Sequence, residues 1–76
     1  MKIEYFRKFT FRELKELRNL LMSDEHSDIN DAVVNDYINT ERKNTSRETR
    51  VRRCIVFIDQ CILTYALTWH NVKNFI

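Results

Sequence analysis

Apolar side chains repeat at helical spacing along the C-terminal part of the chain. The spacing alternates between four and three residues, which is typical of a long amphipathic helix that packs on other helices. The repeat consists of Val51, Ile55, Ile58, Ile62, Tyr65, Trp69, Val72 and Ile76. Thr45 and Glu48 form a T-x-x-E capping box before this stripe, so we expect one helix from Ser46 to Ile76.

Two shorter segments show the same periodicity. In the first, Thr10 and Glu13 form another capping box, and the helix that follows is predicted to end near Met22. Its apolar face consists of Phe11, Leu14, Leu17 and Leu21. The second segment is predicted to begin with Ser27 or Asp28 as its N-cap. Its narrower apolar face consists of Ile29, Ala32, Val33 and Tyr37.

The N-terminal segment, residues 1–9, fits no single periodicity. Ile3, Tyr5 and Phe9 alternate as in a strand, whereas Ile3, Phe6 and Phe9 suit a helical turn. We expect a short extended or β-like arm in this segment.

The whole chain, residues 1–76, is predicted to be one small all-α domain with three helices, a long C-terminal helix and the N-terminal arm. It contains no Gly and no Pro, which leaves helices joined by polar segments as the simplest architecture. A domain of this size has a core that supplies only a few kcal/mol. Oligomerisation is therefore favoured, and we expect a helical dimer.

The long helix carries more apolar surface than two short helices cover easily. Val56, Leu63 and Leu67 lie opposite the main stripe at about 100° per residue. A straight helix of this length would span about 46 Å, against roughly 30 Å for a compact domain. One interpretation is that the helix bends or frays near Trp69 to Asn74, and that the N-terminal arm with Phe6 and Phe9 wraps this second face. The interpretation we favour is a dimer or partner interface, which consists of Val56, Leu63, Leu67 and Trp69.

Charge is nearly balanced over the chain, at +2, but it is strongly segregated. Residues 23–40 carry a net charge of −5 and residues 41–53 a net charge of +4. Ion pairs within the chain account for this layout in one interpretation. In the other, cations near the start of the last helix bind phosphate groups of nucleic acid. These candidate contacts are Arg42, Lys43, Arg47, Arg50 and Arg53.

Known catalytic and metal-binding patterns are not found in the sequence. The absence of Gly excludes phosphate-binding loops, dinucleotide-binding motifs and nucleophile elbows. Cys54 and Cys61 lack the spacing of a zinc site, and we expect them to be reduced core residues of an intracellular protein. Neither Cys61 nor Asp59 lies near His70 on the predicted helix. We expect no enzymatic activity, no cofactor, no metal and no small-molecule substrate.

Targeting and membrane signals are likewise not predicted. The N-terminus lacks an uninterrupted apolar segment of the kind found in signal peptides. The apolar run from Cys54 to Trp69 is shorter than the roughly 20 residues that span a bilayer, and Asp59 would lie at its centre. We expect a cytoplasmic protein that does not contact membranes.

The run from Ser27 to Ile38, with an amphipathic helix and a candidate strand before it, resembles the second helix of ribbon-helix-helix DNA-binding proteins. The resemblance covers about residues 2–40 and implies an intertwined dimer with Arg7 or Lys8 in the DNA major groove. The sequence departs from that pattern in three ways. Asn30 stands where an apolar residue is usual, the turn lacks its common Gly, and the strand does not alternate cleanly. The long third helix lies outside the resemblance.

Together these patterns predict a non-catalytic regulatory or accessory protein that acts by protein–protein binding, as an inhibitor or adaptor. Its short, Gly-free composition, rich in Asn, Ile and Lys, is similar to that of accessory proteins from phages or mobile elements. The expected partner is another protein, a second copy of the chain, or both. It would contact the second apolar face or the acidic face of the second helix. The alternative is a small dimeric nucleic-acid-binding protein that uses residues 42–53.

Overall fold

The computed structural model describes residues 1–23, 29–40 and 44–74, with side chains up to residue 67. The described residues form four helical elements and no strand. These are a 3-10 helix, Ile3–Lys8, and three α-helices, α1 (Phe11–Met22), α2 (Ala32–Asn39) and α3 (Arg47–Asn74). The predicted all-α class with a long C-terminal helix is confirmed.

The N-terminal segment is not the extended or β-like arm that we expected. It forms a 3-10 helix, with Tyr5 N–H donating to the carbonyl of Lys2. The reason is the burial of Phe6, which is completely inaccessible to solvent and whose ring centroid lies 6.3 Å from that of Phe57 on α3. With three residues per turn, Phe6 and Phe9 lie on the same side of the segment. The strand that the ribbon-helix-helix resemblance requires is therefore replaced by a helix.

Helix α1 forms as predicted, because its start is determined by local hydrogen bonds. The Thr10 hydroxyl accepts from the Glu13 backbone N–H at 3.1 Å, and the Glu13 carboxylate accepts from the Thr10 N–H at 2.9 Å. Leu14, Leu17 and Leu21 are buried, as expected for one face of an amphipathic helix.

Helix α2 begins later than predicted, after Asp31. One oxygen of this carboxylate accepts from the backbone N–H groups of Val33 and Val34, each at 3.0 Å. The predicted caps, Ser27 and Asp28, lie outside the described residues. With this start, the buried side chains of α2 are Val34, Tyr37 and Ile38. Val33, a residue of the predicted apolar face, is 48% exposed.

Helix α3 is continuous from Arg47 to Asn74, so it is not interrupted where one interpretation placed a bend or fraying. Its N-cap is Ser46, whose hydroxyl accepts from the Thr49 N–H at 3.2 Å, rather than Thr45. A helix of 28 residues is about 42 Å long. The chain accordingly has a radius of gyration of 13.9 Å, larger than the roughly 11 Å of a compact domain of this length.

The core lies between α3 and the three shorter helical elements. On α3 it is centred on Cys54, Ile58 and Cys61, which are all buried, whereas Ile55 and Ile62 are only partly buried. The buried stripe is thus rotated by about 40° toward the cysteines from the predicted one. The 3-10 helix causes this rotation, because it covers the side of α3 that carries the cysteines.

Candidate functional site

An apolar surface is exposed on the side of α3 that faces away from the core. Val56, Leu63 and Leu67 are 51%, 59% and 55% exposed. They lie within about 40° of one another around the helix axis, and we call them the apolar ridge. The N-terminal segment does not wrap this surface, because it packs on the opposite side of α3. Trp69 belongs to α3, but its side chain lies outside the described residues.

A groove of about 570 Å³ runs beside the apolar ridge, between α1 and α3. Each wall is one face of a helix, since its four residues lie within about 100° of one another around the helix axis. Leu63 belongs to both the ridge and the groove, so the two form one continuous surface. The residues that line the groove are Phe11, Lys15, Arg18 and Asn19 from α1, and Asp59, Ile62, Leu63 and Ala66 from α3.

Phe11 forms the aromatic end of the groove, and Tyr65 packs against it from outside the groove lining. Their rings meet edge to face, with centroids 6.1 Å apart, and Phe11 remains 42% exposed. The Tyr65 hydroxyl donates to the backbone carbonyl of Phe9 at 2.9 Å. This hydrogen bond ties α3 to the segment before α1 and holds the Tyr65 ring in place. This aromatic end of the groove is therefore already formed in the chain without a binding partner.

The charges at the groove are mostly positive. Arg18 Nε donates to the Asp59 carboxylate at 2.5 Å, with both side chains partly exposed, so this pair contributes at most about 1 kcal/mol to folding. The Lys15 ammonium lies 5.3 Å from the centroid of the Phe11 ring. Among the described side chains, Lys15 forms no ion pair. Arg52 is exposed one helical turn before Val56.

Part of the basic segment, residues 41–53, makes contacts inside the fold. Arg50 is only 4% exposed. Its guanidinium donates to the carbonyl and hydroxyl of Thr45, at 2.6 and 3.2 Å, and to the carbonyl of Ile38 at 3.0 Å. The carbonyl of Ile38 is in the last turn of α2, where carbonyls lack helical partners. Arg50 is therefore not available as the nucleic-acid contact that we predicted.

The other predicted nucleic-acid contacts are distributed differently. Arg47 is exposed and donates through Nε to the Asn39 side chain at 3.3 Å, so it too is directed to the end of α2. Arg53 is exposed. Arg42 and Lys43 lie outside the described residues. Of the three predicted contacts that the structure describes, Arg50 is thus buried, whereas Arg47 and Arg53 are exposed.

Tyr5 and Asp31 connect the N-terminal 3-10 helix to α2, and no sequence pattern indicated this pair. The Tyr5 hydroxyl donates to the Asp31 carboxylate, with oxygen–oxygen distances of 2.7 and 2.8 Å. Burial, followed by the hydrogen bond and the negative charge of Asp31, raises the pKa of Tyr5 to about 12. Since the same carboxylate caps α2, this pair has a structural role.

Both cysteines are buried, free thiols. Burial raises the pKa of Cys54 to about 11 and also raises that of Cys61. At neutral pH these groups are protonated and are weak nucleophiles. Cys61 also lines a smaller cleft of about 310 Å³ between the N-terminal 3-10 helix and α3. Within the described residues, no three His, Cys, Asp or Glu side chains are grouped so that they could hold a metal ion.

The chain matches no known protein family, and neither a curated protein nor a solved structure is significantly similar to it. The ribbon-helix-helix resemblance therefore receives no support from these comparisons. In the described part of the chain, no helix has the length and apolar character needed to cross a membrane.

Proposed function

We propose that this chain is a non-catalytic protein that acts by binding another protein, as an inhibitor or adaptor. The observation that carries the proposal is the exposure of Val56, Leu63 and Leu67 on a helix whose opposite side already forms the core. Contiguous exposed apolar surface on a small protein is typical of an interaction site. The groove beside it supplies further apolar surface and charged groups at its edges.

The size of the exposed surface indicates that a partner contacts the ridge and the groove at the same time. Complete burial of a Val or Leu side chain contributes about 1.5–3 kcal/mol, so covering three half-exposed side chains contributes roughly 2.5–5 kcal/mol. Association itself costs about 4–15 kcal/mol. The ridge alone is too small for stable binding. A partner must also contact groove residues such as Phe11 and Ile62.

The proposal is tested by identifying the protein that contacts α3 in cells of the organism that encodes the chain. A photoreactive residue at Val56 is expected to cross-link a specific protein. The affinity of the recovered protein is then measured by calorimetry. The substitution Leu63→Asp is expected to weaken binding at least tenfold, because it places a charge at the centre of the surface.

The matched control is Thr64→Asp, which introduces the same charge one residue further along α3, on another side. It is expected to leave the affinity unchanged. Circular dichroism establishes that both variants fold. If Leu63→Asp binds the recovered protein as tightly as the wild type, the proposed function is wrong.

Nucleic-acid binding is the second candidate, supported by the exposure of Arg47, Arg52 and Arg53 near the start of α3. It predicts binding to duplex DNA that weakens steeply between about 50 and 200 mM salt, because phosphate contacts release counterions. Fluorescence anisotropy measures this dependence, and Arg53→Glu is expected to weaken binding. If the chain does not bind DNA at low salt, this candidate is excluded.

A further inference from the structure

We propose that the groove binds an amphipathic α-helix of the partner protein, with acidic side chains beside its apolar face. This inference rests on the proposed function, because it specifies the chemistry of the partner at the same surface. The shape of the groove indicates that its ligand is a helix, and the charges around the groove indicate that this helix is acidic.

The shape of the groove matches one side of an α-helix. On α1 the wall extends from Phe11 to Asn19, and on α3 from Asp59 to Ala66, which is about two helical turns in each case. A helix that binds in a groove uses apolar side chains at positions i, i+3 or i+4, and i+7. These positions also extend over two turns. The exposed apolar side chains of Phe11 and Leu63 would contact such a stripe.

The charge around the groove favours acidic groups on the bound helix. Asp59 is the acidic residue that lines the groove, and its carboxylate is already bound by Arg18 at 2.5 Å. Lys15 on one wall remains as an exposed cation, and a second exposed cation, Arg52, lies beside the ridge, where it lines a neighbouring cleft together with Glu48. Carboxylates at the edges of the apolar stripe would meet these cations and accelerate association.

A second copy of the chain fits this surface less well. In a two-fold dimer each copy presents the same patch, so Lys15 and Arg52 of both copies would lie at one interface and repel. The acidic segment of the chain is not a suitable ligand either. Its helix, α2, buries Val34, Tyr37 and Ile38 in its own core, so it presents no free apolar stripe.

The test uses the intact chain and three fluorescent helical peptides of equal length. The first has Leu at i, i+3, i+4 and i+7 with Glu beside the stripe. The second replaces each Glu by Lys, and the third scrambles the first so that its Leu residues do not share a face. Anisotropy is expected to show at least tenfold tighter binding of the first peptide than of either control.

Variants of the chain locate the binding site. Lys15→Glu and Leu63→Asp are each expected to weaken binding of the acidic peptide about tenfold. Lys8→Glu is the matched control for Lys15, because the Lys8 ammonium also lies over an aromatic ring, 4.1 Å from the Tyr5 centroid, but away from the groove. It is expected to bind the peptide as tightly as the wild type.

The inference is overturned if the basic peptide binds as tightly as the acidic one, or if neither binds. It is also overturned if sedimentation shows a wild-type dimer that Leu63→Asp converts to a monomer, because a second copy would then occupy the surface. In each of these cases the proposed function survives if Leu63→Asp still abolishes binding of the cellular partner. If Leu63→Asp still binds the cellular partner, the proposed function itself is wrong.

Discussion

At the scale of single residues, Arg50 shows how a cation in a basic segment is used by the fold rather than by a ligand. Its guanidinium connects Ile38, at the end of α2, with Thr45, just before α3. The partial negative charge at the end of a helix favours a cation there. This arrangement offsets part of the cost of removing the cation from water, although its buried Nε–H has no hydrogen-bond acceptor among the described atoms.

We therefore predict that Arg50→Met destabilises the chain by about 2–3 kcal/mol, because it leaves buried carbonyl oxygens without donors. Arg53→Met is the matched control. Since Arg53 is exposed, its replacement is expected to change the free energy of unfolding by less than about 0.5 kcal/mol. Urea unfolding followed by circular dichroism measures both values. Equal effects of the two substitutions would contradict the structural role of Arg50.

Tyr5 leads to a prediction about alkaline pH. Its pKa is raised from 10.0 to about 12 in the folded chain, so folding favours the neutral phenol. This contribution to stability is complete below the unfolded pKa and is lost as the pH rises through the folded one. Absorbance near 295 nm is expected to show one fewer late-ionising tyrosine in Tyr5→Phe than in the wild type. If the tyrosine missing from Tyr5→Phe instead ionised with the ordinary pKa of 10.0, the hydrogen bond to Asp31 would be ruled out.

At the scale of helical elements, the capping box of α1 is formed by two residues on the surface. We predict that Thr10→Ala lowers the free energy of unfolding by about 1 kcal/mol, whereas Thr10→Ser has little effect because it keeps the hydroxyl.

The hydrogen bond from the Thr10 N–H lowers the pKa of Glu13. The contribution of Glu13 is therefore present above its unfolded pKa and is lost as the pH falls through the lowered one. Thermal unfolding of the wild type and of Glu13→Gln, each at pH 7 and in acid, measures this loss of stability.

The structure also explains why some elements were predicted more accurately than others. Helix α1 was predicted from Thr10 to Met22 because its cap and its leucine stripe depend on neighbours within one or two turns. Several acidic residues before α2 were suitable caps, and local spacing did not distinguish Asp31 from them. The N-terminal 3-10 helix depends on the contact between Phe6 and Phe57, which are distant in sequence, so local periodicity could not indicate it.

At the scale of the whole molecule, α3 makes the chain elongated, with principal dimensions of 50 × 23 × 18 Å. We predict that the chain without its partner is a monomer whose radius of gyration in solution is close to 13.9 Å plus a hydration layer. Small-angle X-ray scattering measures this radius, and Leu63→Asp should give the same value as the wild type. A radius that rises with concentration only in the wild type would instead support the dimer expected from the sequence.

The sequence by itself determined where α1 and α3 lie and that Val56, Leu63 and Leu67 lie opposite the main apolar stripe of α3. Both follow from spacing along one helix, which is a local property. Only the tertiary structure decided that Arg50 is buried, that Cys54 and Cys61 lie at the centre of the core, and that a groove forms beside the ridge. The physical reason is that burial depends on which distant segments pack together, and the spacing of residues along one helix does not contain that information.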